Sequence, residues 1–590
     1  MLLDDVTIEQ LAEHLALAMD APTWPGLHRE ADRERIARRA QAVGLWDALA
    51  DSARPQPIEV LSRSVFRQYR REGIREPYQQ LHDQRLSRTI AAGYAVWLEH
   101  PAAELDYVQD LFWAWCEATT WLIPAHEWST SGLELGSTRV GRVLAELAYL
   151  LRGRLEDEVY DRLVAEVDRR MLDAACDWRR PNTWATRPMN WNHVCNANLI
   201  QVALYRIDDP FTLAHFIHPL IQRLDYALNG FAGDGGCLEG PGYWAYGFGH
   251  FVQAAIAVHQ RTAGRVNLMA DERVAPICRY PLAVHFAGKH RVTVADAADG
   301  YVDADVAAAI NHLHALPDLC ALTCPREDGR LDVRDWRTLG IYDGQPVPRE
   351  LTHRDWHLPE TGLARLIAAD DPATQFAITV GHNGVPHNHN DVGSFIYYRH
   401  GRAVLVDPGA PRYTARTFGP DRYELVHCRT LGHSLPVIDG QEQAKGGEHG
   451  GQLRIEPVDT DGTKRVAAEI AQAYPLPALR SLTRTLTLTP DGSLEIVDTF
   501  ELGAAPASLD EGFVTFDDVT VSDDGRSARL SAGDDEAVVT LRAADDTPGT
   551  FAVHALSESV EQGRDGRLLR RVTFTPAELA TRMTVRFTVA

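Results

Sequence analysis

The sequence predicts an α+β multidomain chain: a helical N-terminal half in the form of a bundle, superhelix or toroid, followed by a C-terminal antiparallel β-sandwich. Three observations carry this. At 590 residues the chain exceeds what one hydrophobic core usually serves, so two or three separately packed units are expected. From about residue 6 to about residue 316 apolar side chains recur at helical spacing. From about residue 360 the period falls to two, and short alternating segments continue to Ala590.

The helical half is clearest in "VLAELAYLL" (Val143 to Leu151) and "VYDRLVAEVDRRML" (Val159 to Leu172), where apolar residues fall at i, i+4 and i+7 on either side of a "RGRLEDE" turn. Short links of this kind favour helical hairpins in series. In the second half, "TRTLTLTPDGSLEIVDTF" (Thr483 to Phe500) alternates apolar and polar residues around a Pro-Asp-Gly turn, and "SFIYYRHGRAVLVD" (Ser394 to Asp407) is strand, His-Gly turn, strand. Helices followed by strands point to two domains, the second a sandwich. Their junction is expected in the Arg- and Pro-containing stretch between about 325 and 358.

Composition narrows the function. With 45% hydrophobic and 24% charged residues the chain is globular. A net charge of -23 repels polyanions, which excludes nucleic acid as a partner and leaves short acidic saccharides open if a cleft is locally basic. The first residues, "MLLDDVTIEQLAEHLALAM", read as an amphipathic helix with Asp4 and Asp5 where a secretory signal needs positive charge. No apolar run reaches the ~20 residues of a membrane span. Eight scattered cysteines suit reduced thiols. A cytoplasmic location, with no membrane partner, is the expectation.

Three clusters hold groups that a core avoids. "TWATRPMNWNHVCNANL" (Thr183 to Leu199) sets Trp184, Arg187, Asn190, Trp191, Asn192 and His193 at the start of a helix. The asparagines there either cap backbone N–H groups or, with the tryptophans, line a sugar platform, because an aromatic face stacks on a pyranose ring. "DGGCLEGPGYWAYGFGH" (Asp234 to His250) holds a tight loop ahead of a helix and presents Glu239, Tyr243, Trp244 and Tyr246. This is either a packed aromatic helix start or a polar network, since a buried tyrosine hydroxyl needs a partner. "HNHNDVGSF" (His387 to Phe395) puts two histidines two residues apart, so on an extended segment they point the same way. With Asp407 in "LVDPG" and His433 in "TLGHSLPVIDG", His389 makes a reasonable zinc or iron donor set. A satisfied hydrogen-bond cluster is the alternative.

Taken together, "NWNHV", "DGGCLEGPGYWAYG", "HNHNDVGSF", "LVDPGAPRYT" and "LGHSLPVIDG" resemble, in motif and order, the heparinase II/III-like polysaccharide lyases. "TTWLIPAHEW" (Thr119 to Trp128), with His126, is similar to that family's cleft-lining Trp-x-x-Pro-x-His segment. The resemblance implies an (α/α) toroid over residues 1–340 and a β-sandwich over 341–590. It also implies β-elimination at a uronic acid residue, on an acidic oligo- or polysaccharide. The proton on C5 is too weakly acidic to remove until the neighbouring carboxylate is neutralised, a task that falls to Asn192 with His387. Tyr246 becomes the acid that protonates the departing O4, and the base as well if its phenolate is favoured by nearby cationic or donor groups. His193 becomes the base for the C5 epimer. Tyr243 is the rival of Tyr246, whose distance from Asn192 in sequence is closer to the family's separation. His126, Trp184, Arg187, Trp191, Glu239, Tyr243 and Tyr413 map to substrate binding, and His389, Asp407 and His433 to a structural zinc.

Two departures matter: a secretory signal, carried by many relatives, is not recognised here, and the chain is shorter than several of them. A cytoplasmic location suits an exo-acting enzyme trimming imported oligosaccharides, the lack of a visible basic stripe favours short uronate-containing chains over long sulfated ones, and a homodimer is left open. Rival readings are a glycoside hydrolase on a helical toroid using Glu239 with Asp234, a cupin-like oxygen-chemistry site in which Asp391 stands where a glutamate is expected, and a non-catalytic carbohydrate-binding protein.

Overall fold

The computed structural model describes residues 2–286, 290–347, 349, 351, 353–533 and 537–590. They form two compact units. The first comprises Met1–Gly230, Tyr243–Cys278 and Val302–Glu350, and the second Phe231–Gly242, Arg279–Tyr301 and Leu351–Ala590. Two segments that precede the strands in sequence, 231–242 and 279–301, therefore belong with the β-rich unit.

The first unit is the helical toroid. Its helices include Glu76–Trp97, Leu105–Glu117, Leu135–Leu150, Asp157–Val167, Asn190–Arg206, Pro210–Leu228 and Gly249–Arg261. The period read in "VLAELAYLL" buries Val140, Val143, Leu144, Leu147 and Leu150. That helix starts where the Glu134 carboxylate accepts from the Gly136 and Ser137 amides at 2.8 and 2.7 Å, while the Ser137 hydroxyl accepts from the Glu134 amide at 2.9 Å. Asn190–Arg206 packs against Leu135–Leu150, Pro210–Leu228 and Gly249–Arg261, so nearly all of it is buried. Its polar residues must find partners inside. Glu146 is a buried hub of the same unit, accepting from the Tyr94 hydroxyl at 2.9 Å, the Tyr205 hydroxyl at 3.3 Å and Arg142 at 3.0 Å. Among the described residues no helix is long and apolar enough to cross a membrane.

The second unit is built from antiparallel sheets. Trp356–Leu358, Leu363–Ile367, Gln375–Thr379, Phe395–Arg399 and Arg402–Leu405 form a five-stranded sheet in chain order. The His400-Gly401 link between its last two strands has φ of +54° and +77°, the twist a two-residue hairpin requires. An eight-stranded sheet contains the hairpin Leu479–Leu488 and Leu494–Leu502, closed by Leu488 opposite Leu494 around Pro490-Asp491-Gly492. A four-stranded sheet holds Gly549–Leu556, Leu569–Pro576, Leu509–Thr515 and Val437–Ile438. Phe376, Ile378 and Tyr397 of the first sheet, Leu486, Ile496 and Phe587 of the second and Phe513 and Phe574 of the third share one core. This is the sandwich.

One ion pair lies inside that core. Arg484 donates to Asp498 at 2.9 and 2.6 Å and to the Gly393 carbonyl at 3.0 Å, all fully buried. Burial, with the Asp498 charge beside it, pushes the Glu511 carboxyl well above its ordinary range, so the guanidinium faces one carboxylate charge rather than two. Removing one partner strands the other in low dielectric. Arg484→Ala is expected to cost about 3–5 kcal/mol in chemical denaturation, and a wild-type midpoint in that variant would contradict the assignment.

Candidate active site and metal centre

The β-rich unit gathers its polar groups around a residue that sequence reasoning passed over. Asp296, in "VTVADAADG" (Val292 to Gly300), is 4% exposed. Its Oδ2 accepts from His387 Nδ1 at 2.8 Å and from the Tyr413 hydroxyl at 3.1 Å. Its Oδ1 accepts from Arg422 Nη2 at 2.8 Å and lies 3.2 Å from His389 Nε2. Burial works to raise this carboxyl, but the hydrogen bonds from His387 and His389 and the charges of His389 and Arg422 outweigh it and hold the group well below the usual carboxylate range. Asp296 is therefore a permanent anion inside the fold.

The local backbone explains how both histidines reach it. His387 has φ of +61°, a left-handed conformation that costs a residue with a Cβ and persists only where surroundings enforce it. Arg422 enforces it, donating also to the His387 and Asn388 carbonyls at 3.0 and 3.1 Å. The turn breaks the period of two, so the expectation of an extended segment with both rings on one face gives way to two imidazoles meeting opposite oxygens of one carboxylate. Nδ1 donation to Asp296 fixes the His387 tautomer and leaves Nε2 as its second nitrogen. The ring lies near-parallel to Tyr413 at 6.5 Å, and the Arg564 guanidinium lies over the ring of that phenol at 4.4 Å. A braced imidazole and a phenol sharing one carboxylate can donate to an anion or move a proton.

Beside this cluster, His389, Asp391, Asp407 and His433 bring one ligand atom each within 4.8 Å of all the others. Three of these are the donors read from the sequence, and Asp391 joins them. Asp407 Oδ1 accepts from the Gly409 amide at 2.8 Å, while its Oδ2 sits 3.2 Å from His433 Nδ1 without the alignment of a hydrogen bond. Among the described residues, the Nδ1 atoms of His389 and His433 are buried and have no hydrogen-bond partner. Two orphaned imidazole nitrogens facing two carboxylates fit a divalent cation in four-coordinate geometry. Asp296, His389 and Cys428 also approach within 4.8 Å, but the four donors already on Asp296, one of them a guanidinium, speak against a cation there.

In the helical unit, Tyr246 sits on a π-helical turn, Trp244–Phe248, a wide turn that recurs at functional sites. Its side chain is 38% exposed. Burial of part of the ring, with Cys195 adding to it and Arg139 opposing, pushes the phenol above its ordinary value. That exposure limits the effect, yet the direction favours an acid over a phenolate base. The His250 Nδ1 bonds to the Tyr246 carbonyl at 2.7 Å, and burial holds this imidazole down to about 4 even though the carbonyl favours its charged form. A Cβ placed on Gly247 would come within 3.1 Å of Asn190 Cβ, so the first residue of the helix Asn190–Arg206 lies against the Tyr246 turn.

Other predicted residues are placed differently from the expectation. Asn192 is fully buried: its amide donates to the Ala185 and Arg223 carbonyls, both at 2.9 Å, and accepts from Asn196 at 2.9 Å, so neither N–H is turned toward a ligand. His193 is buried beside Phe251, and burial lowers it to about 3. Trp184 is buried with its N–H on the Leu133 carbonyl at 3.3 Å, which makes it a packing residue rather than a platform. The exposed aromatic face is instead Trp128, 58% exposed and stacked on Trp191 at 5.3 Å. Trp191 in turn meets the edge of His126, whose Nδ1 is held 2.6 Å from Glu134. Arg187 is exposed, Tyr243 half-buried and Glu239 buried. Asp234 is a turn buckle, accepting from the Glu360 and Thr361 amides at 2.8 and 3.0 Å and the Thr361 hydroxyl at 2.6 Å.

The chain is thus a helical toroid followed by an antiparallel sandwich that carries a histidine and carboxylate cluster. Residues 350–582 match the family described as Heparinase II/III-like, C-terminal. Its fold is similar to a crystal structure of heparinase III at a TM-score of 0.60 and 14% identity, covering 96% of this chain and 92% of that one. It is also similar to a mutant of the heparan sulfate lyase HepC from Pedobacter heparinus at 0.59 and 11%, over 96% and 92%, and to a methylated-lysine form of a heparinase III gene product at 0.58 and 14%, over the same shares. No curated protein matches the chain in sequence.

The donor geometry makes a prediction. Protein purified without chelator should carry about one divalent ion per chain, and His433→Ala should lose it together with several degrees of thermal midpoint. Equal metal content in the two proteins would count against the centre.

Proposed function

We propose that the protein is a polysaccharide lyase that cleaves uronic-acid-containing saccharides by β-elimination, acting from chain ends on short oligosaccharides in the cytoplasm. The observation that carries the reading is the Asp296 cluster, because elimination needs a donor that neutralises the uronate carboxylate, and His387 braced by a buried anion supplies one. The heparinase II/III-like fold supports it, as do the solved neighbours described as heparinase III and heparan sulfate lyase.

The assigned roles follow the chemistry. His387 donates to the substrate carboxylate and lowers the barrier to losing the C5 proton. Tyr413, whose hydroxyl donates to the same Asp296 oxygen, is the base: its oxygen takes the C5 proton as its own proton passes to Asp296, and the C5–H electron pair forms the C4=C5 bond as O4 departs. Tyr246, raised above its ordinary value, protonates O4 as the bond breaks. The amide role passes from Asn192 to Asn190, which lies against the Tyr246 turn, while Asn192 and His193 hold the surrounding loops. Trp128 and Trp191 offer the stacking surface. His389, Asp391, Asp407 and His433 would hold zinc, whose contribution when bound is to tie the loops that present His387.

Tyr246→Phe tests the assignment. On a uronate oligosaccharide the formation of the C4=C5 double bond, followed by near-ultraviolet absorbance, should fall by at least ~100-fold, the usual contribution of a positioned acid. A variant that keeps most of its rate would remove Tyr246 from the mechanism, and saccharide cleavage without the chromophore would point to hydrolysis.

A further inference from the structure

The chain carries a net charge of -23, yet four arginines, Arg169, Arg170, Arg179 and Arg180, line one cavity of about 650 Å³ in the helical unit. Asp173 and Asp177 are the acids on the same wall and Glu166 pairs with Arg169 and Arg170, so four arginines meet three carboxylates and positive charge is in excess by one. Arg170 is pinned: it donates to Glu166 at 2.7 Å and to the Ala118 carbonyl at 2.8 Å, and its guanidinium lies 4.7 Å over the ring of Trp121. The other three reach outward. Arg169 touches Glu166 at 2.6 Å, and Arg179 and Arg180 share Asp177 at 3.0 and 2.9 Å, with more than half of each side chain in solvent. Beside them Trp178 is 85% exposed, the most exposed large apolar side chain among the described residues. A bare indole flanked by solvent-exposed guanidinium forks matches a ligand with a flat apolar face and an anionic substituent.

The cavity and the aromatic shelf share a loop. Residues 119–137 supply Thr119, Thr120 and Ser131 to the cavity and His126 and Trp128 to the shelf. The loop is tied to the segment after Arg180 by Ser131 Oγ on Asn182 at 2.6 Å and by the Trp184 N–H on Leu133. Cavity and shelf are thus carried by one loop of one unit. We infer that the cavity is a distal subsite for an acidic sugar residue, in which Arg169, Arg179 and Arg180 grip a carboxylate or sulfate and Trp178 stacks on the pyranose ring. This rests on the lyase reading for the identity of the saccharide, and it supplies the local basic patch that the sequence alone does not display.

The test uses the full chain in a Tyr246→Phe background, so that the probe is not turned over, and isothermal titration with a heparan sulfate hexasaccharide. Trp178→Ala should weaken binding by about tenfold. Arg179→Ala with Arg180→Ala should weaken it at least as much and flatten the dependence of affinity on salt, while the paired Arg→Lys changes restore the salt dependence but only part of the affinity. Circular dichroism and thermal midpoints matching the parent confirm that the variants are folded. Unchanged affinity in both variants, or no binding by the parent, would overturn the subsite. Failure of the lyase reading looks different: wild-type protein would give no C4=C5 chromophore while the contrast between parent and variants in titration persists.

Discussion

The β-rich unit depends on a buried carboxylate. Asp296 is out of water, and a lone anion there would be prohibitively costly. It is tolerated because His387, His389, Tyr413 and Arg422 each direct a donor at it. The same contacts force His387 into a left-handed turn and hold its ring against Tyr413. Compensating one charge thereby orients an imidazole and a phenol together, and places His389 where its other nitrogen joins Asp391, Asp407 and His433. The Asp296 contacts and the four-residue candidate metal cluster are two sides of one electrostatic arrangement, joined through His389.

The helical unit solves a different problem. Its central helix, Asn190–Arg206, is buried nearly all round, so its asparagines turn inward and pair with carbonyls and with each other. What remains for a ligand is the margin: the π-helical turn that lifts Tyr246 outward, and the Trp128 and Trp191 rings beside it. A phenol held above its ordinary value suits proton donation to a leaving oxygen.

Much of this was legible in the sequence, for identifiable reasons. Periodicity exposes the two halves because helix and strand bury different spacings, and the His400-Gly401 and Pro490-Asp491-Gly492 turns declare themselves through residues that accept unusual dihedrals. The donors His389, Asp407 and His433 stand out because imidazoles and a carboxylate recur in the loops that border apolar strands, and the structure gathers them in one cluster. Asp296 was invisible: it lies about ninety residues from its histidine partners, in a segment that looks like one more loop of the helical half and in fact packs with the sheets. Asn192 and Trp184 misled for the opposite reason, since motif position does not reveal whether an amide or an indole N–H already has a backbone partner.

The most direct test of this account is the elimination rate of Asp296→Asn, measured with metal content and thermal midpoint on the same sample. An asparagine keeps the shape and one acceptor but removes the charge that orients His387 and Tyr413. The account predicts a fall in kcat of at least ~100-fold with the ion retained. A variant that eliminates at the wild-type rate would mean that the buried anion merely holds the loop, and that the chemistry lies elsewhere.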